Sequence, residues 1–254
     1  MKDTTILGSL DPELLKRVVS RRGAVAGSGK MAGALAIASM PVALGLMARS
    51  AFAQGTGLPA DILAVLNFAL KLEYLEAEFY RLGLESGVIV TEHLPVFQQI
   101  SKHEAAHVTL LEGAITSGGG TLDPEPTFDF TAGGAFDPFV TYATFQALSQ
   151  GFEDTGVRAY KGQAGALMAN DAILTTALRI HSVEARHASE VRRLRGEKGW
   201  ITGNQNTLPP DFAAIYAGEE AGEGVTSDPA TSEAFDEPLT MQAVLNIASL
   251  FIVA

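Results

Sequence analysis

Two copies of one pattern of acidic, tyrosine and histidine residues lie 80 positions apart in this chain. Each copy has a Glu, a Tyr seven positions later, and a Glu-x-x-His motif that begins 31 positions after the first Glu. The first copy consists of Glu73, Tyr80, Glu104 and His107, and the second consists of Glu153, Tyr160, Glu184 and His187. Four carboxylates and two imidazoles in a twofold arrangement are the ligand set of a di-iron or di-manganese site in a four-helix bundle.

The residues around the four acids indicate that the acids point into a protein core. On a helix, side chains three, four and seven positions apart share a face. Mostly apolar residues occupy these positions around Glu73, Glu104, Glu153 and Glu184. A carboxylate in an apolar interior takes up a proton or binds a cation, because its charge is costly to bury. Four converging carboxylates therefore favour two divalent ions, with neutral His nitrogens completing the coordination.

The alternative to a metal site is a pair of surface residues. A single Glu-x-x-His motif in an acidic chain with five His residues is more often such a pair. Two motifs on core faces, each preceded at the same distance by a core-facing Glu, favour the dinuclear site.

The composition limits the other kinds of function. The chain has 254 residues, enough for one sizeable domain with appendages. It contains no Cys, which excludes disulfides, thiolate metal sites and iron–sulfur clusters. The formal net charge of −11 argues against a nucleic-acid partner, since phosphate binding needs clustered Lys and Arg.

Residues 1–53 have the pattern of an export signal of the twin-arginine type. The pair Arg21-Arg22 precedes a mildly apolar stretch rich in Ala and Gly, and Ala51-Phe52-Ala53 offers a cleavage site. A retained membrane anchor is the alternative, but Lys30 and Pro41 make this stretch a poor membrane span. We therefore expect a cleaved signal, a periplasmic or otherwise exported protein, and no stable membrane span after cleavage.

The rest of the chain is predicted to be all-α, with a four-helix bundle over residues 54–196. The expected helices run from about Pro59 to Leu84, from near Pro95 to just before Gly118, from about Pro138 to Met168 and from about Asp171 to Gly196. A long loop, Thr116–Asp137, forms a crossover between the second and third helices. Residues 197–254 are predicted to be an irregular extension followed by a short helix, Thr240–Val253, which packs on the bundle or on a second subunit of a homodimer.

Three parts of the chain resemble one known family. They are the segment from Leu66 to Tyr80, the two Glu-x-x-His motifs, and the tail from Phe235 to Thr240. They are similar to exported ferritin-like proteins related to plant desiccation-associated proteins, and the likeness covers residues 58–254. It implies a ferritin-like four-helix bundle.

The resemblance also implies a role for each residue of the pattern. Glu73 and His107 would be terminal ligands of one metal, Glu153 and His187 those of the other, and Glu104 and Glu184 would bridge the two ions. Tyr80 and Tyr160 would act beside the site as hydrogen-bond partners or local electron donors, or would be core residues with satisfied hydroxyls.

Other polar residues are weaker candidates. Glu76 lies three positions from Glu73 and near the same face, so its role is ambiguous. His103 is expected at the surface or between helices, and His181 is a possible hydrogen-bond partner of a ligand. The cluster Arg192 to Arg195 is expected to be a charged helix end.

The expected function is a di-iron carboxylate protein that reacts with dioxygen or hydrogen peroxide, with oxidation of Fe(II) as its reaction. One alternative is a dimanganese site that removes peroxide as a catalase does, since oxygen and nitrogen ligands also suit Mn(II). Another is a non-enzymatic structural or stress-protective protein, in which the site stabilises the fold. The sequence does not decide whether the protein is an enzyme, and a storage cage is the least favoured alternative.

Overall fold

Long helices dominate the part of the chain that the structure, a computed structural model, describes: residues 57–220 and 232–253. The α-helices are α1 (Ala60–Ser86), α2 (Leu94–Ser117), α3 (Tyr142–Gln163), α4 (Asp171–Leu194) and α5 (Met241–Ala248). Two 3₁₀ helices, Ala164–Leu167 and Pro210–Tyr216, and two short strands, β1 (Thr127–Phe128) and β2 (Ile252–Val253), complete these elements. The predicted signal in residues 1–53 lies outside the described residues.

The first four helices form two hairpins. Helix α1 packs mainly on α2, and α3 packs mainly on α4. The connection from α2 to α3, residues 118–141, is much longer than those within each hairpin. This arrangement confirms the predicted all-α bundle and contains the predicted long connection.

Local sequence signals explain several helix ends. Helix α1 ends at Gly87, whose φ of 73° is a left-handed conformation that favours glycine. Helix α2 has Pro95 in its first turn, where no backbone N–H is needed. Helix α4 begins after Asn170, whose side chain accepts a hydrogen bond from the Ile173 N–H at 3.1 Å.

Helix α3 is shorter at both ends than predicted. The prediction that it begins at Pro138 is wrong, because the Asp137 carboxylate accepts hydrogen bonds from the hydroxyls of Thr141 and Thr144 at 2.7 and 2.8 Å, and the preceding residues form turns. At the other end the chain tightens into the 3₁₀ helix Ala164–Leu167. Helical structure therefore continues to Leu167, next to the predicted end at about Met168, but its last turn is 3₁₀ rather than α.

The C-terminal segment packs on the bundle but is only partly helical. Helix α5 ends at Ala248 rather than at Val253, because Phe251 turns inward and is 0% exposed. Strand β2 then pairs antiparallel with β1, with Phe128 opposite Ile252. The long α2–α3 connection is thereby tied to the end of the chain.

The extension before α5 contains regular structure that the sequence did not predict. The 3₁₀ helix Pro210–Tyr216 buries Phe212, Ile215 and Tyr216. The Phe212 and Phe251 ring centres are 6.0 Å apart, so this segment joins the core cluster that includes α5 and the α3 residue Phe152. In residues 57–220 and 232–253, no helix combines the length and apolar character that a membrane crossing needs.

Candidate metal centre

The six predicted ligands come from all four bundle helices and lie together in the interior. Glu73 comes from α1, Glu104 and His107 from α2, Glu153 from α3, and Glu184 and His187 from α4. The four carboxylates are 0% exposed, and His107 and His187 are 8% and 5% exposed. The structure thus brings together every residue of the predicted ligand set.

Three carboxylates surround His107. Its Nδ1 lies 3.2 Å from Glu73 Oε2, 3.0 Å from Glu104 Oε2 and 3.0 Å from Glu184 Oε1. Donor atoms of these four residues lie within 4.8 Å of one another. They form the first of two groups that could hold a metal ion.

His187 has the equivalent surroundings in the second half. Its Nδ1 lies 2.9 Å from Glu104 Oε1, 3.2 Å from Glu153 Oε2 and 3.3 Å from Glu184 Oε2. Donor atoms of these residues form the second group, again within 4.8 Å. Glu104 and Glu184 belong to both groups and turn one oxygen toward each imidazole, as carboxylates that bridge two ions do.

The separations between these atoms suit metal coordination. Donor atoms bound at about 2.1 Å on adjacent corners of an octahedron lie about 3.0 Å apart. Several of them are also buried and lie 2.9–3.3 Å from an imidazole or carboxylate atom, yet make no hydrogen bond of suitable geometry among the described residues: Glu104 Oε1, Glu153 Oε2, both Glu184 oxygens and His187 Nδ1. Such atoms are costly to bury unless a partner binds their lone pairs. The donor set therefore fits a pair of divalent cations, and ligation by these residues stays a prediction.

Without a metal, the centre retains protons. Burial raises the pKa of Glu73 to about 8 and raises the pKa of Glu153 well above its ordinary value. Burial opposes ionisation of Glu184 too, but contacts with His107 and His187 outweigh it and lower that pKa to about 2.

The imidazoles hold protons for a related reason. Burial lowers the pKa of each imidazole, but the nearby carboxylates have the larger, opposite effect. They raise the pKa of His107 well above its usual range and that of His187 to about 12. Metal binding requires ionised carboxylates and neutral imidazoles, so it must release protons.

The two tyrosines connect the halves of the centre. The Tyr80 hydroxyl donates to Glu153 Oε1 at 2.5 Å, and the Tyr160 hydroxyl donates to Glu73 Oε1 at 2.5 Å. Burial raises the pKa of both phenols, so they stay protonated. Each tyrosine therefore positions the first carboxylate of the other half, Glu153 or Glu73, and a role as electron donor stays a prediction.

His103 lies between helices, one of the two placements expected for it, but the sequence did not identify its partner. Its Nδ1 lies 2.8 Å from Nε2 of His187, and its Nε2 lies 2.6 Å from the side-chain amide of Gln99. His103 precedes His107 by one helical turn, and this shared face was the available signal. The second half has Val183 at the equivalent position, which cannot accept a hydrogen bond.

Glu76 is a fifth buried carboxylate near the centre. It is 3% exposed, and burial raises its pKa well above the ordinary value. The equivalent residue of the second half is Gly156, where an added Cβ would lie 3.3 Å from Glu76 Oε1 and 3.5 Å from Glu184 Cγ. The missing side chain thus leaves room for the Glu76 carboxyl group. The two groups that could hold a metal do not include Glu76 or His181.

Arg192 lies in the last turn of α4 with Arg193, as predicted for a charged helix end, but its side chain is buried. It is 3% exposed, and its guanidinium lies 2.5 Å from Asp154 Oδ2. At the equivalent positions of the first half, the Tyr74 hydroxyl donates to Glu112 at 2.7 Å. Each helix hairpin therefore has a polar link at these positions in addition to the centre, but with different chemistry.

Comparison with known proteins identifies the part of the chain that carries the centre. A family model described as a ferritin-like domain matches residues 61–197, which include all six candidate ligands. A search of curated proteins found no match.

Proposed function

Because the chain belongs to the ferritin-like domain family, we propose that it is an exported di-iron carboxylate protein that reacts with dioxygen or hydrogen peroxide and oxidises Fe(II). The observation that carries this proposal is the pair of four-residue donor groups that share Glu104 and Glu184. Bridging carboxylates hold two ions close enough for both to act on one small oxidant.

The residues of the centre have separate tasks in this proposal. When bound, iron would supply the electrons that reduce the oxidant. Glu104 and Glu184 present one oxygen to each half, so they would hold both ions. Tyr80 and Tyr160 hold the terminal carboxylates by their hydroxyls.

The metal is identified by elemental analysis of the full chain, isolated from its native compartment or expressed with iron and manganese both available. Two irons per chain are expected. Two manganese ions would replace the iron proposal with a catalase-like one, because the same oxygen and nitrogen donors suit Mn(II). Protein with neither metal would contradict both.

Variants of the shared carboxylates test whether the centre acts as a catalyst. Glu104→Ala and Glu184→Ala should lose metal and the consumption of dioxygen or peroxide. Glu190→Ala is the matched control, because Glu190 is an exposed residue of α4. If the wild type consumes neither oxidant and the two variants only melt at a lower temperature, the non-enzymatic structural role replaces the proposal.

Export is tested separately from metal chemistry. The twin arginines of the leader support this part of the proposal. Fractionation of the native host should find the protein outside the cytoplasm, and replacing Arg21 and Arg22 by Lys should retain it inside. Equal export of both forms would contradict the proposed signal.

A further inference from the structure

Tyr80 and Tyr160 occupy equivalent positions of the two halves, but their surroundings differ. Three phenylalanines surround Tyr80, with ring centres 5.5 Å (Phe79), 6.1 Å (Phe97) and 6.2 Å (Phe145) from its own. The Phe145 ring lies 5.0 Å from both Phe79 and Phe97, and all three are 0% exposed. Aromatic side chains therefore fill the space beside Tyr80.

The space beside Tyr160 is not filled in this way. The equivalent positions, 80 residues away, carry smaller side chains: Ala159 for Phe79, Ala177 for Phe97 and Val65 for Phe145. All three smaller residues line a cavity that also contacts Tyr160. Its volume is about 20 Å³, and about 10–15 Å³ is enough for one water-sized molecule.

The lining of this cavity selects against polar molecules. Its walls are mainly aliphatic and include Leu66 and Leu111. The hydroxyl of Tyr160, a polar lining residue, already donates to Glu73. Gln163 and Thr176 also line the cavity and are only partly buried, so the cavity extends toward the surface. Hydrogen peroxide would lose its hydrogen bonds on entering, whereas an apolar gas would lose none.

We propose that this cavity binds dioxygen beside Tyr160, so that dioxygen reaches the centre from the Glu73 side and the aromatic cluster closes the Tyr80 side. The inference rests on the proposed function for its choice of oxidant, and it narrows that function to dioxygen. Binding at the cavity itself depends only on the shape and the apolar lining of the bundle.

Dissolved dioxygen is the direct probe, because it is paramagnetic and perturbs the NMR signals of nearby methyl groups. The full chain is studied without metal and loaded with Zn(II), which does not react with the gas. The methyl signals of Leu66 and Leu111 should shift with oxygen pressure. Those of Ile100 and Leu148, which belong to the buried core cluster that contains Tyr80 and its three phenylalanines, should not, and argon at equal pressure, which is diamagnetic, should cause no paramagnetic shift in either set. Equal shifts in both sets, or none at Leu66 and Leu111, would overturn the proposal.

A variant that fills the cavity provides the second test. Ala177→Leu should abolish the oxygen-induced shifts at Leu66 and Leu111, whereas Leu178→Phe, on the 47% exposed neighbouring residue, should keep them. In iron-loaded protein, Ala177→Leu should raise the KM for dioxygen and leave that for hydrogen peroxide unchanged. Persistent shifts, or an equal effect on both oxidants, would refute the assignment. If Ala177→Leu does not fold, the difference between the two sets of methyl signals in the wild type still tests the proposal.

Failure of the proposed function is distinguishable from failure of this inference. A chain that binds no iron or manganese, but shows oxygen-dependent shifts at Leu66 and Leu111, would contradict the metal centre and support the gas cavity. A metal-loaded chain without those shifts would support the metal centre and contradict the gas cavity.

Discussion

Replacing His103 by Val should weaken metal binding at one of the two positions and not at the other. A histidine that binds a metal through Nδ1 carries a proton on Nε2. A hydrogen-bond acceptor for that proton usually orients the ring. His187 turns Nδ1 toward the carboxylates, and its Nε2 lies 2.8 Å from Nδ1 of His103. Val occupies the equivalent position of the second half, at residue 183, so His103→Val makes the halves alike.

The size of the effect follows from the lost hydrogen bond. Removal of such an outer partner costs about 10–100-fold in metal affinity, or roughly 1.4–2.7 kcal/mol. The affinity at the position that contains His187 should fall by this factor, whereas the position that contains His107 should keep its value. His103→Asn retains an acceptor oxygen close to the place of Nδ1, so it should recover most of the affinity.

Calorimetric titration of the metal-free chain with Mn(II) measures both steps. The wild type should bind two ions with unequal constants, and His103→Val should change only one of them. The orientation argument is refuted if His103→Val and His103→Asn behave identically, or if both constants fall by the same factor.

Three further predictions concern stability. The melting temperature of the metal-free protein should fall between pH 5 and 8. Folding raises the pKa of Glu73 from 4.5 to about 8 and that of His187 from 6.5 to about 12, so the stabilisation from these protonated groups is lost as pH rises through these windows. A melting temperature that rises with pH in calorimetry would contradict this. Glu76→Gln should stabilise the metal-free protein more at pH 8 than at pH 5, since burial keeps the native carboxyl group protonated in the fold while it ionises freely in the unfolded chain, and an equal effect at both pH values would show that the pKa of Glu76 is not raised by folding. Arg192→Met should destabilise the fold by about 3–5 kcal/mol by leaving the Asp154 charge unpaired. Addition of Asp154→Asn should recover part of this in denaturant unfolding, and a cost below about 1 kcal/mol would indicate a weak, solvated pair.

The placement of the candidate ligands was predictable because two regularities determine it. Helical periodicity sets which face each acid occupies, and the 80-residue repeat relates the two hairpins. Glu73 and Glu153 therefore had to enter the same interior as the two Glu-x-x-His motifs. The aliphatic and aromatic neighbours of these acids carried the same information.

Contacts between helices were not predictable in this way. The approach of His103 to His187 depends on how α2 packs against α4, and the burial of Arg192 depends on Asp154 of α3. Periodicity along one helix does not determine the His103–His187 distance or the Arg192–Asp154 distance. The end of α5 was missed for a similar reason, since Phe251 turns inward and β2 pairs with a strand that lies more than 100 residues earlier.

Anomalous diffraction from crystals of the full chain soaked in Mn(II) tests the dinuclear centre most directly. Two anomalous peaks, about 3.5–4 Å apart, are expected between Glu104 and Glu184, one on the His107 side and one on the His187 side. A single peak, or peaks only at surface carboxylates, would contradict the centre.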